Sequence, residues 1–138
     1  MNGEGKALPP MSYKILTVDD SKMVRFIVTK SFQPYACEIY EAGNGTDGLA
    51  LAVTLLPDLV FLDITMADMN GLVVLEKMRE IEALQATPVV MLTAESGNNS
   101  IERADRLKVA GYIAKPFKGE QLLALAGQIL DLQPLAAA

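Results

Sequence analysis

A chain of 138 residues accommodates one ordinary domain and is short for two. An apolar content of 51% excludes a disordered chain, and a net charge of −5 excludes the basic footprint that nucleic-acid backbones require. The chain has no histidine, which removes His-dependent zinc sites, Ser-His-Asp and Cys-His nucleophile pairs, and any phosphohistidine of its own. Its one cysteine, Cys37, cannot form an internal disulfide and fits a reducing, cytoplasmic setting. The thiol sits in an apolar-rich stretch and reads as packed rather than reactive. No apolar run reaches the length of a membrane span, and no signal peptide opens the chain.

Met1 to Met11 is polar and contains Gly and Pro, so residues 1–12 are expected to be a flexible arm. From Tyr13 onward strand and helix signals alternate five times. Tyr13 to Val18 is β-rich and ends at Asp19 and Asp20. Ser21 then caps a helix whose apolar residues Val24, Ile27, Val28 and Phe32 recur at helical spacing, with Pro34 beyond its end. Cys37 to Glu41 forms a second strand, and a helix with Leu49, Val53 and Leu56 ends before Pro57. Asp58 to Leu62 is a nearly continuous apolar run, the pattern of a strand covered on both faces, and Asp63 terminates it. The loop from Ile64 to Gly71 leads to a helix carrying Leu72, Leu75 and Met78. Pro88 to Leu92 repeats the buried-strand pattern and ends at Thr93. Asn98 to Ser100 reads as a polar loop and cap before a helix with Ile101, Ala104 and Leu107. Gly111 to Ala114 is a short last strand followed by Lys115-Pro116, and a final helix runs from about Gly119 to Leu130. The domain is therefore placed at residues 13–130, with 131–138 as a tail.

Such alternation implies a parallel sheet with helices on both faces. In these folds ligands bind outside the carboxyl ends of the strands. Those ends carry Asp19 and Asp20, Asp63, Thr93 and Lys115. Carboxylates gathered at one edge repel by about 4 kcal/mol per pair at 4 Å and an effective dielectric of 20, unless a cation joins them. An oxygen-only donor set selects a hard ion, Mg²⁺ or Mn²⁺. The hydroxyl and the ammonium suit a phosphoryl group, so the coherent chemistry is phosphoryl transfer to a carboxylate.

The segments VDDS (Val18 to Ser21), VFLD (Val60 to Asp63), MLTA (Met91 to Ala94) and YIAKPF (Tyr112 to Phe117) resemble the motifs of response-regulator receiver domains. They occur in the family's order, separated by 43, 30 and 22 residues between Asp20, Asp63, Thr93 and Lys115, and the resemblance spans about Tyr13 to Leu130. It implies a flavodoxin-like doubly wound (βα)5 fold and a two-component signalling switch. Asp63 is then the phosphoacceptor for a sensor histidine kinase or phosphotransfer protein. Asp19, Asp20 and Asp63 hold Mg²⁺ or Mn²⁺ with the Thr65 carbonyl, while Lys115 and Thr93 engage the phosphoryl group. Thr93 and Tyr112 act as switch residues, and a downstream protein target binds the face of helix 4, strand 5 and helix 5. The resemblance also implies a cis Lys115-Pro116 bond. One departure is Ala67, where the family carries proline; it is expected to loosen the loop after Asp63.

Taken singly, each of these residues has an ordinary explanation. Asp19 and Asp20 suit a helix amino end, Asp63 a turn, Thr93 a cap, Lys115 a loop surface and Tyr112 half-buried packing. Convergence on one edge is what those explanations do not require. A dehalogenase-type phosphatase needs a second acid where Thr65 stands. A flavin carrier needs a hydroxyl- and Gly-rich phosphate loop where Asp19 and Asp20 stand, and a P-loop signature is absent. A stand-alone regulator acting by protein contact is favoured over a receiver module from a larger regulator with DNA-binding or enzymatic output. No direct nucleic-acid partner, membrane insertion or enzymatic output of the domain itself is expected.

Overall fold

The structure is a computed structural model and describes residues 12–94 and 98–135. The expected arm, apart from Ser12, lies outside the described residues. Five strands form one parallel sheet: β1 (Tyr13–Val18), β2 (Cys37–Ala42), β3 (Leu59–Asp63), β4 (Val89–Thr93) and β5 (Gly111–Ala114). Their spatial order is β2-β1-β3-β4-β5. Five helices alternate with them: α1 (Lys22–Phe32), α2 (Gly45–Leu55), α3 (Gly71–Glu80), α4 (Asn98–Arg106) and α5 (Gly119–Ile129).

The two sheet faces bury separate apolar sets, as the alternation of side chains along a strand requires. Ile15, Phe61, Val90 and Ile113 meet Val28 and Phe32 of α1 and Leu122 and Ala126 of α5. Leu16, Val18, Leu62 and Met91 meet Ala52 of α2, Leu75 and Met78 of α3 and Ala104 of α4. The strands β3 and β4 are buried at every residue, which explains their unbroken apolar runs.

Helix entry follows side-chain chemistry. Ser21 Oγ accepts from the Val24 N–H (3.2 Å), Asn44 Oδ1 from Asp47 (2.8 Å) and Asn70 Oδ1 from Leu72 (2.8 Å). The α2 helix stops at Leu56, which takes a left-handed conformation (φ 50°) immediately before Pro57. Asn98 to Ser100 differ from expectation. They form the first turn of α4 rather than a loop, because Ile101 and Ala104 extend the helix they begin and Ala104 is fully buried against the core. Beyond α5 the chain turns back onto the α1–β2 connection. Ala36 N–H donates to the Gln133 carbonyl (2.7 Å) and Leu135 N–H to the Pro34 carbonyl (2.8 Å).

Register fixes the site. Val18 lies beside Leu62, Asp63 beside Leu92 and Thr93 beside Ala114. The carboxyl ends of β1, β3, β4 and β5 are therefore level, and the next residues along the chain leave the sheet at one edge. The reversal of strand order falls between β1 and β3 at that edge.

Candidate functional site: a carboxylate cluster with one lysine

Asp19, Asp20 and Asp63 each bring a carboxylate oxygen within 4.8 Å of the others. Asp19 is fully buried and Asp63 is 3% exposed, whereas Asp20 faces solvent. Asp19 serves two ends at once. Its Oδ1 accepts from the Ser21 N–H (2.9 Å), as a helix-entry residue would, and its Oδ2 lies 2.9 Å from Lys115 Nζ. The same ammonium lies 3.1 Å from Asp63 Oδ1, which also accepts from the Thr65 N–H (3.3 Å). Lys115 reaches this position from β5 through a cis peptide bond to Pro116, and its own N–H donates to the Thr93 carbonyl (2.7 Å). Thr93 is buried at the end of β4.

Burial raises the Asp63 carboxyl above the ordinary aspartate range, and the Asp19 charge adds to the effect; Lys115 and the Thr65 N–H oppose it. Burial works to lower the Lys115 ammonium, but Asp19 and Asp63 outweigh it and hold it above its usual value. Asp63 Oδ2 is buried with no hydrogen-bond partner among the described residues. Three carboxylates whose oxygens lie within 4.8 Å of one another, with the Lys115 ammonium shared between two of them, are what an oxygen-ligated divalent cation fits, and Asp19, Asp20 and Asp63 are the side chains able to hold one.

All the expected site residues except Tyr112 gather at this edge. Tyr112 stands on β5, where its hydroxyl bonds the Ile101 carbonyl (3.0 Å) and the Asp105 carboxylate of α4. Burial, then Asp105, push its phenol up to about 12. Residues beyond the motifs also shape the site. Arg25 Nη1 donates to the Asp19 carbonyl (2.6 Å) while its Nε pairs with Glu41 (3.0 Å), so α1 braces the backbone that presents the acid pair. After Asp63, Gly71 N–H donates to the Ile64 carbonyl (2.7 Å); a Cβ on Gly71 would lie 2.0 Å from the Asp63 carbonyl oxygen. Only glycine permits that approach. The loop is also tied down by Asp68, whose carboxylate accepts from the first turn of α2.

A five-stranded parallel sheet in this order, with an acid trio and a lysine at its carboxyl edge, defines the receiver class of α/β domains. The model of the response regulator receiver domain matches residues 15–126, and the chain belongs to that family. Among curated relatives it is 34% identical to the regulatory protein AtoC of Escherichia coli over 88% of this chain and 26% of that protein. It is 28% identical to the protein PilG of Pseudomonas aeruginosa, covering 90% of this chain and 93% of that one. The sporulation initiation phosphotransferase F of Bacillus subtilis is 28% identical, with coverage of 89% and 98%. The chain spans 26%, 16% and 54% of AtoC, the sensor histidine kinase CheAY of Helicobacter pylori and the probable transcriptional regulator ycf29 of Pyropia yezoensis. The chemotaxis protein CheY4 of Vibrio cholerae superposes with a TM-score of 0.81 at 29% identity, covering 86% of this chain and 99% of that structure. A phosphoacceptor receiver function follows from that membership.

Proposed function

We propose that Asp63 is the phosphoryl acceptor of this receiver, supplied by the phosphohistidine of a sensor kinase or phosphotransfer protein. The observation that carries this reading is the buried, unpartnered Asp63 Oδ2 beside an Oδ1 held by Lys115 and the Thr65 N–H. The open oxygen attacks phosphorus and forms an acyl phosphate. The P–N bond breaks, its electron pair stays on the imidazole, and that nitrogen takes a proton from water. Lys115 stays paired with the reacting centre and Thr93 offers a hydroxyl from the neighbouring strand end. Asp19, Asp20 and Asp63, with the Thr65 carbonyl, would hold Mg²⁺ or Mn²⁺, which neutralises phosphoryl oxygens when bound. The domain assists its own phosphorylation and dephosphorylation and turns over no separate substrate.

The phosphodonor has a seat beside the cluster. Met23 and Phe26 of α1 are 67% and 60% exposed, and Met23 borders an apolar groove of about 380 Å³ that also includes Ile27, Lys115 and Phe117. The downstream protein binds the α4-β5-α5 face, where Tyr112 joins β5 to α4. The domain at residues 13–130 works in the cytoplasm, where a lone thiol such as Cys37 stays reduced. No helix among the described residues is long and apolar enough to cross a membrane.

The test is intact-protein mass after incubation with Mg²⁺ and acetyl phosphate. Wild type gains one phosphoryl group and Asp63→Asn gains none. Uptake by Asp63→Asn at the wild-type rate overturns the assignment.

A further inference from the structure

We propose that Asp68 is a positioning residue for phosphorylation, clamping the loop after Asp63 onto the first turn of α2 in place of the rigidity that proline at position 67 would supply. This inference rests on the reading of Asp63 as acceptor.

The loop from Ile64 to Gly71 carries the Thr65 N–H that holds Asp63 Oδ1, together with the Thr65 carbonyl assigned to the metal. Its base is closed by the Gly71-to-Ile64 hydrogen bond, and Ile64 N–H donates to the Leu92 carbonyl (3.1 Å). Its tip has less support, since Thr65, Ala67 and Asp68 are all exposed and only Met66 is buried there. Ala67 leaves the backbone both φ freedom and an N–H, which a proline would remove.

Asp68 supplies the missing restraint. Its Oδ1 accepts from the Gly45 N–H (2.9 Å), and its Oδ2 from the Thr46 N–H (3.0 Å) and the Thr46 hydroxyl (2.9 Å). Asn44 already caps Asp47, and Asp68 takes the Gly45 and Thr46 N–H groups, two more of those that the helix cannot satisfy itself. The helix dipole favours a negative charge there. Close packing supports the same contact: a Cβ on Gly45 would lie 2.9 Å from Met69 Cβ, so α2 and the loop touch through a glycine. The Gly45 and Thr46 N–H groups hold the Asp68 carboxyl down to about 2, so the clamp is charged at neutral pH.

The experiment measures Mg²⁺ affinity by calorimetry and the rate of phosphoryl uptake from acetyl phosphate, in wild type, Asp68→Ala, Asp68→Asn and Ala67→Pro/Asp68→Ala. Asp68→Ala should slow uptake and weaken Mg²⁺ binding by about three- to tenfold, a small misplacement effect. Asp68→Asn, which keeps one carbonyl acceptor, should fall between. Ala67→Pro/Asp68→Ala should return to within about twofold of wild type, because the ring restores the lost restraint. A loss of general stability alone would not be rescued in Mg²⁺ affinity and rate by a proline in the loop. Unchanged affinity and rate in Asp68→Ala, or no rescue by proline, overturns the proposal. If Asp63→Asn takes up phosphate as wild type does, the acceptor reading fails instead, and Mg²⁺ affinity still decides the clamp.

Discussion

Replacing Asp63 with asparagine should make the metal-free protein more stable. Asp63 Oδ1 gains attraction from Lys115 at 3.1 Å, worth about 5 kcal/mol at an effective dielectric of 20. Against this stand repulsion from Asp19 within 4.8 Å, about 3.5 kcal/mol on the same scale, and several kcal/mol for desolvating a carboxylate. The balance disfavours the charged form, in agreement with a carboxyl raised by burial and by Asp19. The amide of Asp63→Asn would keep an acceptor oxygen for the Thr65 N–H and leave Lys115 paired with Asp19. A gain of about 2 kcal/mol is expected, near 7 °C in Tm for a chain of this size. The pH dependence has a definite sign. Because the folded carboxyl titrates above the unfolded one, the unfolded chain loses its proton first as pH rises. Wild-type stability relative to Asp63→Asn therefore falls from about pH 4 until the folded carboxyl has ionised, then levels. Calorimetric melts in EDTA at pH 4 and pH 7.5 should show a smaller gap at the lower pH and a larger one at the higher. At a Mg²⁺ concentration a hundred times its Kd, wild type should gain about 2.7 kcal/mol and the variant much less, closing or reversing the difference. If Asp63→Asn melts below wild type in EDTA at pH 7.5, the charge argument is wrong.

Gly71→Ala should disturb the site from behind, since its Cβ would meet the Asp63 carbonyl; a loss of about 3 kcal/mol by denaturant titration and slower phosphoryl uptake are expected. Arg79 donates to the carbonyls of Leu84, Thr87, Leu107 and Lys108, so Arg79→Ala should lower Tm by roughly 10 °C, with little recovery in Arg79→Lys because one ammonium cannot span four acceptors. Wild-type Tm in Arg79→Lys would refute that account. Burial pushes the Cys37 thiol up to about 11, so alkylation by iodoacetamide at pH 8 should run on the order of a hundredfold slower than for a free cysteine and accelerate only on unfolding.

What could be read from the sequence is whatever the sheet enforces. A strand buried on both faces must be apolar throughout, so β3 and β4 announce themselves, and the first polar residue marks where each leaves the core. Asp63 and Thr93 were legible for that reason, and Ser21 because a helix needs a cap. Position along the strand then implied the common edge, since level carboxyl ends follow from parallel pairing. Contacts made by polar side chains outside the apolar core across long separations leave no such trace. Asp68 lies 23 residues from Gly45, and Arg79 reaches carbonyls up to 29 residues away. Neither belongs to a periodic pattern. Asn98 to Ser100 misled for the opposite reason: three weak helix formers suggest a loop, but tertiary packing of the turns that follow overrides their preference. The Asp68 carboxylate beside Ala67 likewise could not be matched to the amino end of α2 without α2 in place.

The charges at the edge explain why these parts belong together. Three carboxylates and one ammonium sum to −2, which one divalent cation neutralises. A phosphoryl group on Asp63 replaces a single negative charge with about two, so the demand on Lys115 and on any bound cation rises at the same point. Lys115 now divides its ammonium between Asp19 and Asp63. In the proposed switch it shifts toward the phosphoryl oxygens, and Thr93 follows from the adjacent strand end, because its carbonyl already holds the Lys115 N–H. Both strands lead to one place. The chain after β4 enters α4, and β5 carries Tyr112, whose hydroxyl is tied to Ile101 and Asp105 of that helix. In the proposed switch a change in charge at Asp63 would thus act on the two ends of a single tether, the route by which Tyr112 would report on a site it does not touch.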